Sequence, residues 1–163
     1  LDVCPTKAFV GPFELDAKRC ISYLTIESKD AIPEPLRIPM GNRIFGCDDC
    51  QMVCPWNKFA ATAVDPVFQA RPEFEQAALT TLFAWSEATF LDKTQGTAIR
   101  RTGYAGWLRN ISVALGNADY DPEILASLQA KRPTSTPMVQ EHIDWAIRQQ
   151  ILKRDAGGPR STS

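Results

Sequence analysis

The sequence has no apolar run long enough to cross a bilayer, only one histidine, and no cysteine among its last 109 residues. The first absence excludes a transmembrane helix. The opening residues, LDVCPTKAF, lack the basic segment and apolar core of a secretory signal, and the start at Leu1 suggests that the natural start lies upstream. The single histidine, His142, lies beside an apolar stripe, which predicts a partly buried structural side chain rather than a catalytic one.

The composition is that of a globular protein. The chain has 163 residues, of which 44% are hydrophobic and 23% charged, enough for one domain or two small ones. The charges are unevenly distributed: residues 1–96 carry 9 Lys and Arg against 13 Asp and Glu, whereas residues 97–163 carry 9 against 6. A mildly basic second part is compatible with a nucleic-acid partner but does not establish one.

The five cysteines all lie within the first 54 residues. An odd number would leave one thiol outside a closed disulfide framework, and the absence of secretory features also disfavours disulfides. Thiols clustered in this way predict metal binding. The cysteines are Cys4, Cys20, Cys47, Cys50 and Cys54.

Three cysteines form the run C-x2-C-x3-C-P over residues 47–55. This is the later part of the bacterial ferredoxin run C-x2-C-x2-C-x3-C-P, in which the fourth cysteine binds the other of two clusters. The position of the missing first cysteine is Ile44, so another thiolate must complete the cluster, and Cys20 is available.

Cys4-Pro5 has the form of the end of a second such run. By the crossover rule, Cys4 would bind the cluster that Cys47 and Cys50 serve. One [4Fe–4S] cluster would then have four ligands, which are Cys4, Cys20, Cys47 and Cys50. Cys54 would bind a second cluster whose other ligands lie outside this sequence.

Two other interpretations of the cysteines stay open. Four cysteines could hold a structural zinc ion in a protein-interaction module, although the C-x3-C-P extension would then have no role. Cys20 could be a buried core thiol, as free cysteines often are. A stand-alone ferredoxin-type electron carrier with a helical docking module is a further alternative, in which Cys54 would be unused.

The pattern along the chain predicts a mainly α protein. A small loop-rich ferredoxin-like module occupies residues 1–58, a linker residues 59–74, a helical module residues 75–155 and a disordered tail residues 156–163. Within the helical module, apolar residues at helical spacing predict helices that pair into a short α-solenoid-like unit. Asp121-Pro122 and Thr136-Pro137 are predicted helix starts, and Gly116 a helix end.

Four stretches resemble the epoxyqueuosine reductases. Three are residues 4–9, residues 15–27 with the string RCISYLTIE, and residues 41–57 with the string GCDDCQMVCPWN. The fourth, LRNISVALGN at residues 108–117, is similar to the start of that family's HEAT-like helical repeats. The resemblance covers residues 1 to about 150, and the first two strings are much more specific than a ferredoxin run alone.

The resemblance implies an oxidoreductase that converts epoxyqueuosine to queuosine in tRNA, in the cytoplasm. It implies two [4Fe–4S] clusters and a cobalamin, with electrons relayed through the clusters from an external donor. The family's cobalamin domain and catalytic acid precede the clusters, so this chain corresponds to the C-terminal portion. We do not expect that portion to turn over by itself.

The resemblance also implies roles for individual residues. It assigns the five cysteines as the spacing does, with Cys54 as the crossover ligand. Ser22 and Asp48 are candidate cobalamin contacts, because they lie near Cys20 and Cys47. Helix-end capping by Ser22 and loop stabilisation by Asp48 are the alternatives.

The basic helical part is predicted to bind the tRNA backbone, which positions RNA without reading its sequence. For any one side chain, ordinary surface charge is the alternative. We expect a monomer without a membrane partner. A related reductive dehalogenase is a further possibility, disfavoured by the RCISYLTIE string and the helical tail. The candidate tRNA-binding residues are Arg100, Arg101, Arg109, Lys131, Arg132, Arg148, Lys153 and Arg154.

Overall fold

The computed structural model describes residues 2–61, 65, 71, 74–75 and 77–156. The strands and α-helices follow one another as β1 (Phe9–Gly11), β2 (Glu14–Leu15), α1 (Glu34–Met40), α2 (Asp49–Met52), α3 (Leu79–Ala84), α4 (Glu87–Lys93), α5 (Gly103–Asn117), α6 (Pro122–Lys131) and α7 (Pro137–Ala156). Single turns of 3-10 helix occur at Ala17–Arg19, Pro55–Phe59, Ala98–Thr102 and Arg132–Thr134, and Tyr23–Glu27 is a π-helical segment.

The mainly α prediction is confirmed. The strands in the described residues form one antiparallel hairpin, in which Phe9 pairs with Leu15 and Gly11 with Glu14. Among the described helices, none has the length and apolarity that a membrane crossing needs. The division into modules stays a prediction, and the tail after Ala156 and most of the predicted linker lie outside the described residues.

Helix α5 is the centre of the fold. It is buried continuously from Gly106 to Gly116 and packs mainly against α7. The predicted helix end at Gly116 is wrong, because α5 continues through Asn117. Gly116 instead permits close packing: a Cβ there would lie 2.5 Å from a ring carbon of Trp145.

Two neighbouring polar side chains of α5, Arg109 and Asn110, are completely buried. The Arg109 guanidinium donates to the carbonyls of Leu24 at 2.6 Å, Ser28 at 3.0 Å and Asp30 at 2.7 Å. Its remaining N–H groups donate to Oδ1 of Asn110, at 2.9 and 3.1 Å. All five guanidinium donors are therefore used inside the protein.

The Asn110 amide extends this network. Its Nδ2 donates to the carbonyls of Thr25 at 2.8 Å and Ile44 at 2.9 Å. One turn of α5 thus holds both the π-helical segment and the loop that precedes Cys47. The cysteine-bearing part of the chain and the helical part share one buried interface.

The local sequence explains how several elements begin. The Asp121 side chain accepts from the Glu123 N–H at 2.7 Å, and Pro122 follows at the first helical position, as predicted. Asp16 caps the turn Ala17–Arg19 in the same way, through the Lys18 N–H.

His142 is fully buried, rather than partly, and has a structural role. Its Nε2 accepts from the Ile32 N–H at 3.0 Å, so the ring proton lies on Nδ1 and is donated to the Met138 carbonyl at 2.8 Å. Burial lowers the pKa of His142 to about 4. The side chain is therefore neutral at physiological pH and ties α7 to the segment before α1.

We predict that this histidine makes the fold sensitive to acid. Because its pKa is lower in the folded chain than its ordinary value of about 6.5, the unfolded chain binds the extra proton first. The stabilisation is complete above pH 6.5 and is lost as the pH falls through 4. Between pH 7 and pH 5 the loss from this group is about 2 kcal/mol.

Urea unfolding followed by circular dichroism at pH 7 and pH 5 measures this loss. The matched variant is His142→Gln, whose side chain cannot gain a charge but still offers an acceptor to Ile32. It should be less stable at pH 7 and lose about 2 kcal/mol less than the unchanged chain on acidification. Equal losses in both proteins would contradict the assignment.

Candidate metal centre

Four of the five cysteines line one cavity. Cys4, Cys20, Cys47 and Cys50 surround a space of about 120 Å³. Apolar side chains, among them Ala8 and Ile21, form much of the remaining wall. Cys54 is not part of this lining. The structure thus brings these four cysteines together in one lining, and their role as cluster ligands stays a prediction.

Cys4 is positioned by a tight turn. The Lys7 N–H donates to the Cys4 carbonyl at 3.0 Å, and Lys7 itself has a φ of 50°. The turn directs the Ala8 N–H to the Cys4 Sγ, at 3.3 Å. Burial raises the pKa of Cys4, but hydrogen bonds from Ala8 and Thr6 outweigh burial, and the net pKa lies below its ordinary value. Such N–H donors stabilise thiolate over thiol.

Cys20 separates the 3-10 turn that follows Asp16 from the next helical segment. Its φ and ψ of −71° and 124° are extended, so the 3-10 turn ends there and a new helical segment begins at Ile21. The Leu24 N–H then donates to the Cys20 carbonyl at 2.9 Å. The break places Cys20 at the wall of the cavity rather than in the hydrophobic core, where the alternative interpretation had it.

Cys47 is held by two hydroxyl side chains. The Ser22 Oγ accepts from the Cys47 N–H at 3.0 Å and donates to the Cys47 carbonyl at 3.3 Å. The Thr25 Oγ1 accepts from the Gly46 N–H at 2.9 Å and donates to the Ile21 carbonyl at 2.8 Å. Gly46 has a φ of 73°, which glycine adopts without strain. The RCISYLTIE string therefore positions two cysteines together.

An ion pair between Arg43 and Asp49 lies beside the candidate ligands Cys47 and Cys50. Asp49 follows Cys47 by two residues, lines the cavity, and accepts from Arg43 Nη2 at 2.7 and 3.0 Å. Arg43 also donates to the Met40 carbonyl at 3.1 Å. Burial raises the pKa of Cys47, and the hydrogen bond to Asp49 raises that of Arg43. No sequence pattern predicted this pair.

A wider groove opens beside the cavity. It has a volume of about 560 Å³ and is lined by Arg43, Cys47 and both candidate cobalamin residues, Ser22 and Asp48. Asp48 is exposed and accepts from the Gln51 amide at 3.2 Å. The structure therefore brings the two candidates to one surface next to Cys47. Their role as cobalamin contacts stays a prediction.

The assignment of Arg109 to the tRNA-binding set is wrong. This side chain is 0% exposed, and its donors are all used by the carbonyls and the amide described above. Burial lowers its pKa to about 10, which still leaves it cationic at neutral pH. No phosphate can reach it without unfolding of this interface.

The other predicted tRNA-binding residues are at least partly exposed. Arg101, Arg132 and Arg154 pair with Glu27, Asp144 and Asp155. Lys131 donates to the Trp85 carbonyl at 3.0 Å, and Lys153 to the Ala118 carbonyl at 2.6 Å. Lys131 and Arg132 lie in helical turns rather than in the predicted loop.

Arg100 and Arg148 remain available for a partner. Both are exposed, and neither side chain has a hydrogen bond or ion pair with another residue in the part of the chain that the structure describes.

The four cysteines and their cavity fit an iron–sulfur cluster. Thiolates are the soft ligands that such clusters require. Four of them arranged around a cavity suit a multi-atom cubane, whereas zinc needs its ligands within about 2.3 Å of one point. Among the described residues, no three His, Cys, Asp or Glu side chains converge on a single-ion site.

The comparisons with known proteins agree with a cluster-binding class. Residues 1–57 match the family model described as "4Fe-4S double cluster binding domain". The epoxyqueuosine reductase of Xanthomonas campestris pv. campestris is 54% identical over 152 residues, which are 93% of this chain and 43% of that protein.

Solved structures give the same result. The structure of epoxyqueuosine reductase from Bacillus subtilis is 35% identical and superimposes with a TM-score of 0.83, covering 92% of this chain and 40% of that one. A crystal structure of epoxyqueuosine reductase with a tRNA-Tyr epoxyqueuosine-modified stem loop is 29% identical, with a TM-score of 0.68, and covers 93% of this chain and 48% of that one.

The chain is therefore related to the epoxyqueuosine reductases, as its motifs predicted. It spans about two fifths of the length of the curated relatives it matches. The family resemblance is thus established for a part of these enzymes.

We predict that the five cysteines differ in their effect on bound iron. Each of Cys4→Ser, Cys20→Ser, Cys47→Ser and Cys50→Ser removes one thiolate from the cavity and should abolish the complete cluster. Cys54→Ser should retain it, because Cys54 is outside the cavity lining. The measurement is iron and acid-labile sulfide per chain after anaerobic reconstitution. An equal loss in all five variants would contradict the assignment.

Proposed function

We propose that this chain is the part of an epoxyqueuosine reductase that holds a [4Fe–4S] cluster and presents it to the cobalamin site. The observation that carries the proposal is the cavity shared by Cys4, Cys20, Cys47 and Cys50, together with the relatives' printed names. The whole enzyme would be an oxidoreductase, with this portion inactive alone. The same proposal places this chain in the C-terminal portion of the enzyme and gives its helical part a HEAT-like fold.

The four thiolates would hold the cluster, which supplies single-electron transfer when bound. The chain's own residues determine how that site is built. Ser22 and Thr25 fix the backbone at Cys47 and Gly46, and the Ala8 N–H directs a hydrogen bond to the Cys4 sulfur. Apolar neighbours such as Ile21 limit the access of water. Cys54 would serve a second cluster completed by residues outside this sequence.

The groove beside Cys47 is our candidate for the face toward cobalamin. It adjoins the cavity, since Ser22, Cys47 and Gln51 line both spaces. Cobalamin would supply the cobalt chemistry by which the epoxide is reduced. Ser22 would contribute mainly by positioning Cys47, because both hydrogen-bonding capacities of its hydroxyl are used on that residue.

We also propose that the exposed basic residues contact the tRNA backbone. Arg100 and Arg148 are the strongest candidates, because both are exposed and neither side chain donates a hydrogen bond or forms an ion pair within the described residues, although Arg148 lies within electrostatic reach of Glu141 and Asp144. Arg101, Arg132 and Arg154 would have to exchange a surface carboxylate for phosphate, which costs little where the ion pair is exposed. We also propose that the whole enzyme is a cytoplasmic monomer and takes its electrons from an external donor.

A chimera tests the proposed function. The matching part of the Xanthomonas campestris enzyme is replaced by this chain, and the product is expressed in a bacterium that lacks its own epoxyqueuosine reductase. Mass spectrometry of tRNA nucleosides gives the ratio of queuosine to epoxyqueuosine. We expect restoration to at least a tenth of the level of the unaltered relative, because 54% identity extends across the matched part.

The matched control is the same chimera with Cys20→Ser, which should accumulate epoxyqueuosine. Conversion by the control equal to that of the parent chimera would contradict a role for the cluster. A parent chimera that is folded and expressed but leaves all epoxyqueuosine unchanged would contradict the proposed function itself.

A further inference from the structure

The ion pair between Arg43 and Asp49 is located where the cluster cavity meets the groove. Asp49 lines the cavity, and Arg43 lines the groove. The pair is half-shielded, with side-chain exposures of 31% for Arg43 and 15% for Asp49. Both carboxylate oxygens of Asp49 accept from the same guanidinium nitrogen, at 2.7 and 3.0 Å.

The guanidinium is held in place from two sides. Its second terminal nitrogen donates to the Met40 carbonyl at the end of α1, at 3.1 Å. The hydrogen bond to Asp49 raises the pKa of Arg43, and the nearby negative charges of Asp49 and Cys47 raise it further. The pair therefore consists of two fixed and opposite charges beside one of the candidate cluster ligands.

We propose that the Arg43–Asp49 pair sets the reduction potential of the cluster, with the carboxylate lowering the potential and the guanidinium raising it. The proposal rests on the cluster of the proposed function. Reduction adds one electron and one negative charge to the cluster. A neighbouring anion opposes that charge and a neighbouring cation favours it, most strongly where water is partly excluded.

The geometry decides the sign expected for each substitution. Removing the cation by Arg43→Gln leaves the Asp49 carboxylate uncompensated at the cavity wall, so reduction becomes harder. Removing the anion by Asp49→Asn leaves the guanidinium, so reduction becomes easier. The double variant should lie between the two. Arg43→Lys retains the charge and should remain near the unchanged chain. Neither group would bind the cluster. Each would act as a positioning residue whose charge changes the reduction potential.

A mediated redox titration of the reconstituted full chain tests this, with a low-potential dye as the electron donor and the reduced cluster measured by EPR. At a fixed solution potential, Arg43→Gln should lower the ratio of reduced to oxidised cluster about tenfold, a 59 mV shift for one electron. Asp49→Asn should raise that ratio by a similar factor. The matched control is Asp144→Asn, which alters the Arg–Asp pair that joins Arg132 of a 3-10 turn to α7 and should leave the ratio unchanged.

The outcomes separate the two proposals. Unchanged potentials in both single variants, or shifts in the same direction, overturn the role of the ion pair and leave the cluster intact. If Arg43→Gln assembles no cluster, the test is Asp49→Asn compared with Arg43→Lys, which should keep the potential of the unchanged chain. An Asp49→Asn variant whose reduced fraction does not rise above that of Arg43→Lys then overturns the proposal. Absence of a cluster in the unchanged chain overturns the proposed function and this inference together.

Discussion

The buried hydrogen-bond network of Arg109 and Asn110 connects the cysteine-bearing part of the chain to the central helix. These two side chains bind four carbonyls of the segment between Leu24 and Asp30 and a fifth at Ile44. The carbonyls of the buried residues Leu24 and Thr25 would otherwise lack these donors, at a cost of about 1–3 kcal/mol each. The π-helical segment and the loop before Cys47 are thereby fixed to α5.

The Cys47 side of the cavity depends on that attachment. The π-helical segment contains Thr25 and follows Ser22, and these hydroxyls hold Gly46 and Cys47. The four cysteines that line the cavity come from three separate stretches of chain, and a fixed framework holds these stretches around a small space. Helix α5 is therefore part of the support of this cavity.

The grouping of four cysteines around one cavity could be predicted because it depends on local spacing and residue chemistry. The C-x2-C-x3-C-P run and Cys4-Pro5 led to the same four cysteines that line the cavity. Arg109 could not be placed in this way, since a charged side chain in the basic second part of the chain suggests the surface. Its acceptors lie up to 85 positions earlier in the chain, and helical periodicity cannot predict contacts at such a separation.

Gly116 and the pair of Arg43 and Asp49 were missed for related reasons. A glycine near a helix end usually terminates the helix, but here the close approach of Trp145 requires it. Arg43 and Asp49 flank a cysteine in the sequence, and only the folded loop shows that they pair beside the cavity. The spacing of residues in the sequence does not predict contacts that form only by tertiary packing.

The central claim is that this chain alone builds one complete [4Fe–4S] site. Iron, acid-labile sulfide and zinc are measured per chain after anaerobic reconstitution, together with the EPR spectrum of the reduced protein. The account predicts about four irons and four sulfides with little zinc, and a cluster signal on reduction. About one zinc per chain, with no sulfide and no signal, would contradict it.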